Sequence, residues 1–179
     1  EALRDGEVDV VIGGAGPPAS AGLRRVVLFR EPFKVIARSD HPGLGRRLTL
    51  ASYLAYDHVL VRFEGREVAA VDRALASLGH QRRVGLSVPH FVAAPLAVAG
   101  SDMLSTISSS VAAWGQSLLG LRLFDPPFEL PAAPVSLWWA ATHDADPARR
   151  WFRELLCRGD AAPPAIQRMI RATQERGPQ

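Results

Sequence analysis

The sequence predicts an α/β protein built from two lobes, and three observations carry that expectation. In the middle of the chain, about residues 43–125, short runs of β-branched and other apolar residues alternate with helix-forming segments. This is the pattern of a mostly parallel sheet with helices on both faces. β-rich stretches flank the block on either side. Proline-bearing breaks, Asp40-His41-Pro42 and Pro131 to Pro134, mark where the chain passes from one lobe into the second and back. The expected division places residues 1–41 and 132–160 in the first lobe, 42–131 in the second, and 161–179 in a tail. Two α/β lobes joined by two crossings make a cleft.

The elements follow in order. Residues 2–6 end a helix closed by Gly6, and residues 8–12 are a short buried strand. Gly13-Gly14-Ala15-Gly16-Pro17-Pro18 is a loop. Residues 23–29 and 33–38 are two strands parted by Arg30-Glu31-Pro32. Thr49 caps a short helix through Tyr56, and residues 59–63 are a strand. Residues 67–78 form an amphipathic helix with Val68, Val71, Leu75 and Leu78 on one face and Gly79 past its end. Strands at 83–88, 103–107 and 121–124 alternate with helices at 90–99 and 110–119. Residues 135–141 are a strand, and 146–157 a helix capped by Asp144 or Asp146. Beyond Gly159 the chain is polar and proline-containing, a frayed tail or a loosely docked helix.

Composition narrows the function. Lys and Arg number 21 against 18 Asp and Glu, for a net charge of +3, and the arginines are scattered. A DNA-contacting domain concentrates its basic residues, so direct DNA contact is not expected. No apolar run approaches the ~18 residues of a membrane span, and Glu1-Ala2-Leu3-Arg4-Asp5 is not a signal peptide. A start without Met is expected of a fragment. The single cysteine, Cys157, cannot form an internal disulfide and fits a reducing cytoplasm. The five histidines lie far apart with no HxxxH or CxxC spacing, so neither a metal nor any other cofactor is expected.

Ligands of open α/β sheets sit beyond the carboxyl ends of strands, where helices begin. The junctions are Gly13-Gly14-Ala15, Arg62-Phe63-Glu64-Gly65, Pro89-His90-Phe91 and Ser108-Ser109-Ser110. Helix N-termini there would attract an anion, and the serines add hydroxyls that cap or bind. His90 caps or packs on one reading; on the other it contacts a ligand, with Phe91 as an aromatic wall. Pro95, inside the predicted helix, removes a hydrogen bond and bends the first turns. Arg62 binds an anion or is merely solvated. Of Trp138 and Trp139, both pack or one faces a cleft; Cys157 reads as a small buried hydrophobe. The Gly13 loop lacks the helix of a dinucleotide fingerprint, and neither GxSxG nor a Walker A sequence occurs.

Several stretches, in order, resemble the effector-binding region of LysR-type transcriptional regulators. They include Glu1-Ala2-Leu3-Arg4-Asp5-Gly6-Glu7-Val8-Asp9-Val10, Leu28-Phe29-Arg30-Glu31-Pro32-Phe33, Asp40-His41-Pro42, Leu48-Thr49-Leu50 and Val98-Ala99-Gly100-Ser101-Asp102-Met103-Leu104. Val88-Pro89-His90-Phe91 and His143-Asp144-Ala145-Asp146-Pro147 through Trp151 resemble the branch of nodulation and aromatic-acid-responsive regulators. The resemblance covers the chain to about Arg158. The chain departs from that branch at Ala140-Ala141-Thr142, at Ser108-Ser109-Ser110 and in its small Gly13–Pro18 loop.

The resemblance implies two periplasmic-binding-protein-like (type II) subdomains around an effector cleft, in bacterial cytoplasm, with no membrane association. It implies homodimers that pair into tetramers. DNA would be reached only through an N-terminal winged helix-turn-helix that precedes residue 1, with a linker helix and the domain's first strand. The expected ligand is a small molecule such as an aromatic carboxylate, lined by Pro89, His90 and Phe91, with Arg62, Phe63, Gly14, Thr106 and Ser108 nearby. A solute-binding protein of the same fold is the alternative. An enzyme ranks last, for want of an acid–base pair.

Overall fold

Apolar, β-branched runs form the strands and the segments between them form the helices. The computed structural model describes residues 2–14, 22–62, 69–160, 162 and 164–175. In chain order the strands are β1 (Val11–Gly13), β2 (Leu23–Glu31), β3 (Phe33–Ala37), β4 (Asp57–Val61), β5 (Arg83–Val88), β6 (Ser105–Ser108), β7 (Arg122–Phe124) and β8 (Ala133–Ala140). The helices are α1 (Leu50–Ala55), α2 (Ala69–Ser77), α3 (Ala93–Ala99), α4 (Ser109–Leu119), α5 (Pro147–Arg158) and α6 (Pro164–Glu175). By internal packing the chain divides into two units, Glu1–Glu31 with Ala132–Gln179, and Pro32–Pro131.

In the first unit β8 lies between β1 and β2 and is antiparallel to both. The β2–β8 register shifts between Val27 and Phe29. That irregularity breaks the alternation of faces and lets the consecutive Leu28 and Phe29 both be buried with Leu137 and Ile170. Asp146 caps α5 by accepting from the backbone N–H groups of Ala148 (2.9 Å) and Arg149 (3.1 Å), and Pro147 supplies the first turn.

The segment expected as a tail, 161–179, contains α6. Its apolar residues Ile166, Met169 and Ile170 recur at helical spacing and pack on the first unit's core. Burial of that stripe outweighs the polar average of the segment.

In the second unit β3 runs antiparallel to both β6 and β7. β4 is parallel to β5 and bridges β6 in parallel through His58 and Leu104. β4, β5, β6 and β7 therefore point one way and β3 alone points against them. The expectation of mostly parallel sheets holds for strand direction in this unit, but not for the first unit, where every described pair is antiparallel. The expected lobe boundary at residues 41/42 also shifts. β3 pairs inside the second unit, so the division falls between Glu31 and Pro32.

One face of the second unit's sheet packs Val35, Tyr53, Val71, Leu75, Leu104 and Phe124. The other packs Ile36, Val59, Val61, Ala94, Val98 and Ile107. Thr49 and Ser52 cap α1 reciprocally: the Thr49 hydroxyl accepts from Ser52 N–H and the Ser52 hydroxyl from Thr49 N–H. Pro95 falls in the first turn of α3 rather than its interior. A missing N–H costs nothing there, so the predicted bend is not needed.

Candidate functional site

Because β4, β5 and β6 are parallel, their carboxyl ends leave the sheet along one edge. Arg62 follows β4; its N–H donates to the Val88 carbonyl (2.9 Å), which ties it to the end of β5, and its side chain is exposed. Phe63, the next predicted site residue, lies outside the described residues. Pro89, His90 and Phe91 form the turn between β5 and α3, closed by Ala93 N–H to the His90 carbonyl (3.1 Å). All three are exposed. No side chain caps α3, so His90 neither caps that helix nor fills the core. Its side chain is exposed, as is that of Phe91.

The end of β6 contributes differently. Successive residues face opposite sides of the sheet. Ser105 is buried and donates to the Val59 carbonyl (2.8 Å), and Ile107 enters the core. Thr106 and Ser108 face the α1 side, half-buried. The Thr106 hydroxyl is 2.8 Å from that of Tyr53. Ser108 is the N-cap residue of α4 but makes no capping bond with its side chain. The first N–H of α4, at Ser109, donates to the Pro32 carbonyl (2.8 Å). Gly14 belongs to the first unit, after β1; every other described candidate belongs to the second.

Behind Thr106 is a polar group that sequence reasoning missed. Tyr53 is fully buried on α1. Its carbonyl accepts from His58 Nε2 (2.9 Å), and its ring tilts against that imidazole with centroids 4.3 Å apart. Arg82, also buried, grips Asp72 with Nε (2.8 Å) and a terminal nitrogen (3.1 Å), and its positive charge bears on the Tyr53 hydroxyl. Burial raises the Tyr53 pKa above its ordinary value, against the opposing pull of Arg82. Burial likewise lowers His58 to about 4, so the ring is neutral at pH 7. A tyrosine followed four and five positions later by Asp57 and His58 carries no motif; the group exists only through the fold.

At the opposite edge of the second unit lies an open depression lined by Tyr56, Asp57, Arg83 and Asp102 among others. Its charges are already paired: Arg83 with Asp57 (2.7 Å) and Arg38 with Asp102 (2.7 Å). In the first unit Trp138 is buried, while Trp139 is half-buried and donates to Asp144 (2.5 Å). Neither tryptophan belongs to the edge described above. Among the described residues no group of three His, Cys, Asp or Glu could hold a metal ion. No described helix is long and apolar enough to cross a membrane.

Among the described residues the edge thus offers an imidazole, a guanidinium, hydroxyls and an aromatic ring. That chemistry suits binding. Residues 1–161 match the family model described as the LysR substrate binding domain, and the chain belongs to that family. It is 30% identical over 156 residues to the HTH-type transcriptional activator NahR of Pseudomonas putida, covering 87% of this chain and 52% of that protein. It is 31% identical over 159 residues to Nodulation protein D 3 of Rhizobium leguminosarum bv. phaseoli, with the same two coverages of 87% and 52%. The chain spans about half the length of these curated relatives. Among solved structures, the regulatory domain of MexT, a transcriptional activator in Pseudomonas aeruginosa, superposes with a TM-score of 0.74 at 34% identity, covering 87% of this chain and 74% of that one. The periplasmic-binding-protein-like fold implied by the resemblance is the fold of these relatives.

Proposed function

We propose that the chain is the effector-sensing region of a bacterial LysR-type regulator and that its effector is a small aromatic carboxylate. The carboxyl-end edge of the second unit holds it. His90 and Arg62 meet the carboxylate, Pro89 and Phe91 face the ring, and Thr106 and Ser108 complete the edge; Phe63, also a candidate, lies outside the described residues. Gly14 is the first unit's candidate. The observation that carries this reading is the His90–Phe91 pair, exposed where β5 ends. Membership of a family described as substrate-binding supports it. The protein senses rather than catalyses. It works in the cytoplasm as a homodimer or tetramer and reaches DNA through a helix-turn-helix outside this chain. To control that DNA contact the effector must bind one conformation better than another.

Calorimetry of the full-length protein with benzoate and salicylate tests the site. His90→Ala and Arg62→Ala should each weaken binding about tenfold, the worth of one charge-assisted hydrogen bond. Wild-type affinity retained in both variants would remove this edge from the effector site.

A further inference from the structure

Helices α3 and α4 pack side by side on one face of the second unit's sheet, with Pro95 of one against Gly115 of the other. Their outer surfaces are apolar. Val92 and Leu96 form an i, i+4 ridge on one side of that seam, and Trp114 and Leu118 form another on the opposite side. These four side chains are 54%, 58%, 40% and 63% exposed, so packing against the sheet leaves them uncovered. The surface also lacks charge. From Pro89 to Leu121 the only Asp, Glu, Lys or Arg is Asp102, and it is paired with Arg38 (2.7 Å). A single charge in that run is far below the 22% of the whole chain.

An uncharged face selects its partner. A surface that brought charges against it would bury them without counter-charges, which is costly. The partner face must therefore be apolar and uncharged too, and this face meets that condition itself. In a two-fold contact each residue lies near its own copy, so a self-contacting face cannot carry like charges. The outer face of α5 fails that requirement: Trp151 is 60% exposed but shares its helix with Arg149, Arg150, Arg153 and Arg158. We propose that the α3/α4 face packs against the same face of a second copy of this chain, with Trp114 and Leu118 at its centre, and that this contact joins two dimers into a tetramer. The inference rests on the self-association stated above, gives it a surface, and does not depend on the effector edge. The four side chains expose on the order of 400 Å², about half of the ~800 Å² per partner that holds a stable pair alone. Such a contact is too small to make the first dimer. Between two preformed dimers it occurs twice, and the second copy forms at high effective concentration.

Sedimentation velocity of the full-length protein over a range of concentrations reads the dimer–tetramer equilibrium. Leu118→Glu sets like charges against each other across the two-fold axis and should weaken tetramer formation about a hundredfold, leaving dimers. Leu118→Lys should do the same. Mixing the two variants should restore the tetramer, because Glu then faces Lys. Neither a folding defect nor a different partner protein would give that rescue. Trp151→Glu, on α5, should sediment as wild type. If the Leu118 variants lose their fold, as judged by circular dichroism, Trp114→Glu and Trp114→Lys are mixed instead. A tetramer retained in both single variants, or a mixture that stays dimeric, overturns the inference and leaves self-association standing. A wild-type protein that is dimeric at every concentration overturns it as well. A wild-type protein that is monomeric at every concentration overturns the self-association reading, and this inference with it.

Discussion

Gly115 of α4 and Pro95 of α3 press together where the two helices pack: a Cβ at Gly115 would stand 3.2 Å from Pro95 Cβ and 3.1 Å from Leu121 Cδ1. The proline ring is rigid and buried, so it gives way little. Alanine at 115 would gain about 1 kcal/mol of helix propensity and lose a comparable amount to the contact. Gly115→Ala should therefore leave stability within about 1 kcal/mol of wild type. Gly115→Val, which adds bulk that the contact cannot absorb, should cost about 2 kcal/mol. Urea denaturation of both variants measures the difference.

His58 makes the protein acid-sensitive. Burial holds its pKa near 4, against about 6.5 in an unfolded chain. Between those values the unfolded chain binds a proton that the folded one refuses, so stability rises with pH across the window. The contribution is complete above about pH 6.5 and lost as pH falls toward 4, and is of order 3 kcal/mol. Arg82, Asp72 and Asp57 all act on the ring. His58→Gln keeps a donor for the Tyr53 carbonyl but cannot titrate. Its denaturation midpoints should vary less with pH between 4 and 6.5 than those of wild type.

The Arg82–Asp72 pair should respond unequally to loss of either partner. The Arg82 side chain is 2% exposed and that of Asp72 47%. Asp72→Ala strands a buried guanidinium, whereas Arg82→Met removes the charge and keeps much of the volume. Breaking a buried pair from one side costs about 3–5 kcal/mol, while apolar replacement is often neutral. Since Asp72 is half in solvent, about 2 kcal/mol is expected for Asp72→Ala and less for Arg82→Met. A larger loss in Arg82→Met on denaturant titration would contradict this.

Gly159 ends α5 in the left-handed region, at φ 73°, and a Cβ there would lie 2.6 Å from Ile170 Cδ1. Gly159→Ala combines backbone strain with a clash against α6. It should cost about 1–2 kcal/mol and raise hydrogen exchange first in residues 164–175. Slowed exchange there would show that α6 is seated by something other than the space Gly159 leaves.

Local chemistry was legible in the sequence where one or two neighbouring residues decide it. Thr49 caps the helix assigned to it, of the two candidates Asp144 and Asp146 the second caps α5, and residues 83–88 form the predicted strand with the predicted bounds. Pro95 was misleading because a proline a few residues into an apolar run can sit in a helix interior or in its first turn, and only the true start at Ala93 distinguishes them. The direction of β3 depends on pairing with β6 and β7, some seventy to ninety residues on, which no local pattern encodes. α6 was readable: Ile166 and Ile170 keep helical spacing, but the polar average of the segment obscured it. Of the site, the strand-end positions of His90 and Arg62 followed from alternation. The Tyr53–Thr106 bond joins residues 53 positions apart and could not be inferred from either one.

The second unit is one uninterrupted stretch, Pro32–Pro131, whereas the first is assembled from both ends of the chain. A single recombination cassette could therefore exchange the entire Arg62–His90–Thr106 edge for another lineage's version while leaving the first unit's sequence untouched. Inheritance in such a chain need not be uniform. Genealogies built from residues 32–131 and from the flanking segments could disagree, and the seams to examine for that disagreement are the Glu31–Pro32 and Pro131–Ala132 bonds.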